Sequence, residues 1–169
     1  MTDMAGGALD SRSRFNDLVL AADRKPDDAV AQFARTACKA AVIAGGVPML
    51  LRVLNALAPM PGLDQVLVVG PAAAAFTASP PLVIGLQRDR VRRLDPEPSP
   101  SRSAAAGIRA LGLEVPILIT TADHALLTPG IAGEFLAAAR ASGADLAVGL
   151  VRFATVQAAF PGVRRTVLR

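Results

Sequence analysis

The feature that most constrains this chain is a series of short apolar runs, each too short for a buried helix, separated by stretches of helical pattern. Asp17 to Ala22 (DLVLAA), Gln65 to Val69 (QVLVV), Pro116 to Thr121 (PILITT) and Asp145 to Val151 show little polar alternation. That is the mark of strands buried on both faces. Leu82 to Leu86 predicts a further short strand, and Arg164 to Arg169 one more near the end. Lys39 to Ala44 is an apolar segment closed by Gly45 and Gly46.

The intervening pieces read as helices. Pro48 suits the first residue of PMLLRVLNALA, whose Leu50, Leu51, Val53, Leu54 and Leu57 make a broad apolar face. Ser101 or Ser103 is placed to cap SAAAGIRALG, which Gly112 ends. Thr128-Pro129 opens another helix with a cap and a first-turn proline. A helical turn is expected near Val30 to Arg35. Strands alternating with helices imply an α/β domain with a mostly parallel sheet and helices on both faces. Ligands of such sheets bind at the carboxyl ends of the strands.

Composition narrows the class. At 169 residues, 52% hydrophobic and 19% charged, the chain is globular and long enough for one domain with a sizeable core. Residues 1–14 are small and polar and read as a flexible arm, leaving 15–169 as the domain. The net charge of +4 invites a nucleic-acid partner. Against that, the chain has no Trp, no Tyr and six Phe, so little can stack on bases. Its densest basic patch, Arg88, Arg90, Arg92 and Arg93, reads as a solvated strand or loop. The expected partners are therefore small molecules, with no nucleic acid and no membrane. The longest apolar stretch, Ala40 to Leu51, contains two Gly and a Pro and is too short to span a bilayer. Cys38 is the single cysteine, so no intrachain disulfide can form. With no apolar signal core in the first residues, the expectation is a soluble cytoplasmic protein.

Two places carry candidate chemistry. Asp123 follows the PILITT strand directly. A carboxylate there suits a hard cation such as Mg²⁺, which takes one or two carboxylates plus phosphates and waters; a helix cap or turn residue is the alternative. His124, the only histidine, reads as a satisfied, partly buried side chain, with no second His to support a metal or acid–base role. The other place is the polar stretch after Ala22. It has no glycine to admit a phosphate and instead carries Asp23, Asp27 and Asp28, with Arg24, Lys25 and Lys39 as cations. Lys25 and Lys39 are the only lysines among 18 basic residues.

Four segments in order, LVLAADR (Leu18 to Arg24), CKAAVIAGGVPMLLRVLNAL (Cys38 to Leu57), SPSRSAAAGIRAL (Ser99 to Leu111) and ILITTADHALLTP (Ile117 to Pro129), resemble the MobA-like nucleotidyltransferases. These enzymes serve molybdenum-cofactor dinucleotide synthesis and sugar-phosphate or polyol-phosphate nucleotidyl transfer. The resemblance covers roughly Leu18 to Val151. It implies a single Rossmann-like, three-layer α/β/α domain of the nucleotide-diphospho-sugar transferase type. It implies transfer of NMP from an NTP to a phosphorylated acceptor, with Mg²⁺ or Mn²⁺ and release of pyrophosphate.

By resemblance, Leu20, Ala21 and Ala22 lie along base and ribose, with Arg24 in the same nucleotide-binding stretch. Lys39 contacts phosphate and stabilises the transition state. Gly46 to Met49 form the turn into the first long helix. Ser103 and Gly107 match an element that approaches the base in cytidylyl-transferring relatives. Asp123 is the metal-binding carboxylate and, with Lys39, the catalytic pair. The sequence departs from the family pattern at Asp23, where a glycine is usual, implying a differently built loop in which Asp27 or Asp28 joins a metal. It also ends at Arg169, before the later acidic residue typical of the family, so the domain is expected to be truncated. Those departures motivate a second reading, a nucleotide-binding module of the same fold without turnover. An unrelated doubly wound domain is a third.

Overall fold

The structure, a computed structural model, describes residues 14–22 and 28–163. The expected arm (residues 1–13), the first-loop residues Asp23, Arg24, Lys25 and Asp27, and the strand at Arg164 to Arg169 lie outside the described residues. The chain divides into two compact units, 1–133 and 134–169.

The first unit is built on a four-stranded sheet. In chain order its elements begin with β1 (Phe15–Leu20), α1 (Ala29–Phe33) and a 3₁₀ turn (Lys39–Ala41). The hairpin strands β2 (Ile43–Ala44) and β3 (Val47–Pro48) lead into α2 (Met49–Leu57) and β4 (Leu63–Val69). Then come α3 (Ala73–Thr77), α4 (Pro80–Gly85), β5 (Val91–Leu94), α5 (Pro100–Leu111), β6 (Ile117–Thr121) and α6 (Pro129–Ser142), which runs across the boundary between units. The sheet order is β5-β4-β1-β6, and all its ladders are parallel. This is the Rossmann-like α/β architecture expected.

Alternate residues of a strand face opposite sides. One side of the sheet carries Leu18, Leu67 and Val69, which form a core with Leu111 of α5. The other carries Phe15, Asp17, Val19, Val66 and Val68, also closed to solvent. Both faces are covered, as a parallel sheet requires. α2 turns Leu50, Val53, Leu54, Ala56 and Leu57 inward.

Gly107 sets how closely α5 approaches the sheet. A Cβ at this position would stand 2.4 Å from Leu18 Cδ1 and 3.2 Å from Val69 Cγ2. Leu18 is fully buried and has nowhere to retreat. Gly107→Ala is therefore expected to lower stability by about 1–3 kcal/mol through overpacking. An unchanged urea midpoint would remove that constraint.

Three sequence expectations change. Leu82 to Leu86 belongs to α4, not to a strand. Pro80 and Pro81 lack the N–H that a ladder needs but suit a helix's first turn, where those donors go unused. The third sheet strand is instead Val91–Leu94, within the arginine patch, so the patch lies on a sheet edge. α5 is capped by Ser99, whose Oγ accepts from Arg102 N at 3.3 Å, rather than by Ser101 or Ser103. The helix begins earlier than expected because Pro100 occupies its first position. The expected cap at Thr128 holds, with Oγ1 accepting from Ile131 N at 3.2 Å.

In the second unit α6 ends at Gly143 (φ 64°), and α7 covers Phe153–Ala159. Asp145 to Val151 is irregular rather than a strand. Leu146, Val148 and Leu150 are exposed there. Their alternation is strand-like, but a strand exists only with a partner ladder, and this segment joins none among the described residues. No helix among the described residues is long and apolar enough to cross a membrane.

Candidate active site

The sheet order places its topological switch point beside β1. The chain steps from β1 to β4 and β5 on one side, then crosses to β6 on the other. The crevice at the carboxyl ends of β1 and β6 is where such sheets bind ligands. Leu20 ends β1 there, and Ala21 and Ala22 follow it directly. Ala21 N donates to Val69 O at 2.9 Å and Ala122 N to Leu20 O at 2.9 Å, which pins the strand ends side by side. Gly70 closes the flank at φ 93°, and a Cβ there would fall 2.7 Å from Ala22 N. Only glycine lets the β4 turn lie that close to the end of β1.

Asp123 stands just past β6, and its Oδ2 accepts from Lys39 Nζ at 2.7 Å. The Thr121 hydroxyl donates to the other carboxylate oxygen. Partial burial pushes the Asp123 carboxyl up. Hydrogen bonds from Lys39 and Thr121, with the nearby positive charge, outweigh it and hold the group below the usual carboxylate range. The pair remains accessible, with side chains 31% and 42% exposed for Lys39 and Asp123.

Local structure explains why Lys39 reaches it. Thr36 Oγ1 donates to Cys38 O at 3.0 Å. Cys38 and Ala40 are buried on either side, so the lysine between them is held outward on a 3₁₀ turn. Gly45 and Gly46, both at positive φ, then make the two-residue turn of the β2–β3 hairpin.

Other candidates hold structural posts. Ser103 is buried; its Oγ accepts from Glu97 N at 3.0 Å and ties down the loop before α5. Gly107 packs against the sheet, as described above. Asp28 caps α1, accepting from Val30 N and Ala31 N at 3.0 and 3.1 Å, so its carboxylate is engaged locally. His124 is exposed rather than partly buried. Thr121 and Arg52, which binds the backbone just past Asp123, were not predicted from sequence. The only signal for Thr121 is a hydroxyl two residues before the carboxylate.

Among the described residues, no three of His, Cys, Asp or Glu gather where they could hold a metal. Asp123 alone fits Mg²⁺ in the manner of a site completed by substrate phosphates and waters, not an all-protein cage. Two adjoining hollows of about 330 and 180 Å³ lie at the opposite, amino end of the sheet. Their charged lining is engaged locally: Arg14 is paired with Asp64 and Arg88 with Asn55.

A parallel sheet whose strand order reverses beside β1 defines a Rossmann-like α/β domain. The chain belongs to the MobA-like NTP transferase family, whose domain description matches residues 18–162. Its structure is similar to a 4-diphosphocytidyl-2C-methyl-D-erythritol synthase from Anaerococcus prevotii (13% identity, TM-score 0.58, covering 75% of this chain and 51% of that one). It is also similar to a hypothetical transferase from Thermus thermophilus (23% identity, TM-score 0.58, covering 90% and 58%). A third similar structure is a nucleotidyl transferase from Methanothermobacter thermautotrophicus (21% identity, TM-score 0.52, covering 72% and 56%). This chain therefore spans between 51% and 58% of the length of these structures. None of the curated proteins matches it.

Proposed function

We propose that this domain is the nucleotide-binding and metal-binding part of a nucleotidyltransferase that moves NMP from an NTP to a phosphorylated acceptor. The observation that carries the reading is the Lys39–Asp123 pair at the switch point. Asp123 is the residue that would hold Mg²⁺ or Mn²⁺, which supplies neutralising charge to the phosphates when bound. Lys39 then exchanges the carboxylate for a phosphate oxygen, placing its ammonium where charge builds up during transfer. Leu20 to Ala22 provide a close-packed floor for base and ribose, and Arg24 adds positive charge to the same stretch. Ser103 and Gly107 act on the base indirectly, by fixing α5 and the loop before it. An oxygen of the acceptor phosphate forms a bond to the α-phosphorus, the bond from that phosphorus to the β-bridging oxygen breaks, and pyrophosphate leaves with the electron pair.

A second reading, nucleotide binding without turnover, is favoured by Asp23 standing where the family pattern has glycine. Incubation with each NTP, Mg²⁺ and a panel of phosphorylated acceptors, with pyrophosphate as the readout, separates the two. Release with one pairing is the expected result. A thermal shift with NTP and Mg²⁺ but no release with any acceptor supports the binding module. Absence of any shift counts against both.

A further inference from the structure

We propose that Arg52 is a positioning residue that holds the Lys39 segment and the Asp123 loop in register. The inference rests on the site reading above and adds to it a residue that neither the sequence pattern nor the family resemblance singled out. Arg52 sits on α2, partly buried. Its Nε donates to Ala125 O at 2.8 Å, two residues beyond Asp123. Its Nη1 donates to Ala44 O at 3.1 Å, on the strand that follows the Lys39 turn. One guanidinium thus bridges the backbones of the two segments whose side chains meet in the Lys39–Asp123 pair. The fit is tight: a Cβ on Gly45 would stand 3.1 Å from Nη1.

Two links therefore join the same two segments, and they differ in permanence. The Lys39–Asp123 link is part-exposed and is the one that must open when a cation takes the carboxylate and a phosphate takes the ammonium. The Arg52 link uses backbone carbonyls that no ligand needs. It preserves the spacing while the ion pair is exchanged for ligand contacts. The planar fork of arginine directs N–H groups to two separated acceptors at fixed angles. A lysine, a point charge on a flexible stem, reproduces the charge without the bridge.

The test compares wild type with Arg52→Ala, Arg52→Lys and, as a control on an exposed hydrogen bond of α2, Arg88→Ala. Amide hydrogen exchange reads the bridge without reference to activity. In both Arg52 variants, protection is expected to fall by about tenfold together at Val42 and Met49 on one side and at His124 and Leu127 on the other. β4 and α5 keep theirs. Loss confined to one segment, loss spread evenly over the unit, or no loss overturns the proposal.

In the pyrophosphate assay, both Arg52 variants are expected to lose about tenfold in kcat, with the KM for NTP nearly constant and no rescue by lysine. Arg88→Ala stays at wild-type level. Wild-type kcat in Arg52→Lys overturns the positioning role. If wild type itself releases no pyrophosphate with any pairing, the transferase reading fails, and the exchange result alone decides whether Arg52 couples the two segments.

Discussion

Asp123→Ala is expected to abolish the Mg²⁺-dependent part of NTP binding and to lower pyrophosphate release by about 100- to 1000-fold. The substitution removes the carboxylate that, in the proposed function, would hold the cation at the switch-point crevice. It also removes the Oδ2 that accepts from Lys39 Nζ. Lys39→Ala is expected to cost a similar factor in rate by a different route. The carboxylate remains, so metal-dependent binding survives while the charge on the transferring phosphate loses its ammonium. Titration of NTP binding with and without Mg²⁺, alongside the rate, separates the two roles. Equal Mg²⁺-dependent affinity in wild type and Asp123→Ala would take Asp123 out of the site.

The parts of this design that were legible in the sequence are those where burial leaves an unambiguous pattern. β1 and β4 are central, and β6 lies at the other edge of the described sheet; all three are mostly apolar along their length and stand out as runs, although Ile119 of β6 is exposed. β5 reads from sequence only as a solvated strand or loop, because two of its four residues are arginines. Arg92 faces solvent, while Arg93 stacks on the Phe76 ring at 4.8 Å and donates to Pro71 O at 2.8 Å, so arginines occupy strand positions. The Leu82 to Leu86 run misled for the opposite reason: a short apolar run has no period, and only Pro80-Pro81 distinguishes helix from strand. At the site, Asp123 was visible as a carboxylate at a strand end, whereas its meeting with Lys39, 84 residues away, rested on family resemblance. Arg52 could not be seen at all. Its partners are backbone carbonyls, which carry no sequence identity.

Asp17→Asn is expected to reverse a pH-dependent loss of stability that the wild-type fold carries in its central strand. Asp17 is fully buried on β1, between the ladder partners Val66 and Leu118. Neither of its oxygens has a hydrogen-bond partner, and the Thr120 hydroxyl is likewise unsatisfied. Burial pushes the carboxyl up to about 8; the Thr120 hydroxyl lies near enough to offset this slightly but not in hydrogen-bonding geometry. An Asp in the unfolded chain titrates near its ordinary value of 3.8. Between that pH and about 8 the folded chain holds a proton that the unfolded chain has released, so folding takes up a proton and stability falls as pH rises. Below that window both states are protonated and the penalty vanishes; above it both are ionised and the penalty is complete.

The slope is roughly 1 kcal/mol per pH unit. From pH 5 to pH 8 it therefore removes roughly 3–4 kcal/mol, a large part of the 5–15 kcal/mol typical of a domain. Asparagine has nearly the same shape and no charge to bury, so its contribution is flat across this range. Every other titrating group is shared by the two proteins and cancels in the difference. Urea denaturation of both at pH 5, 6, 7 and 8 should show the variant gaining on wild type at each step, with most of the gain complete by pH 8. Parallel stability curves would mean that Asp17 ionises in the folded state at its ordinary pH, with solvent or a partner reaching the strand.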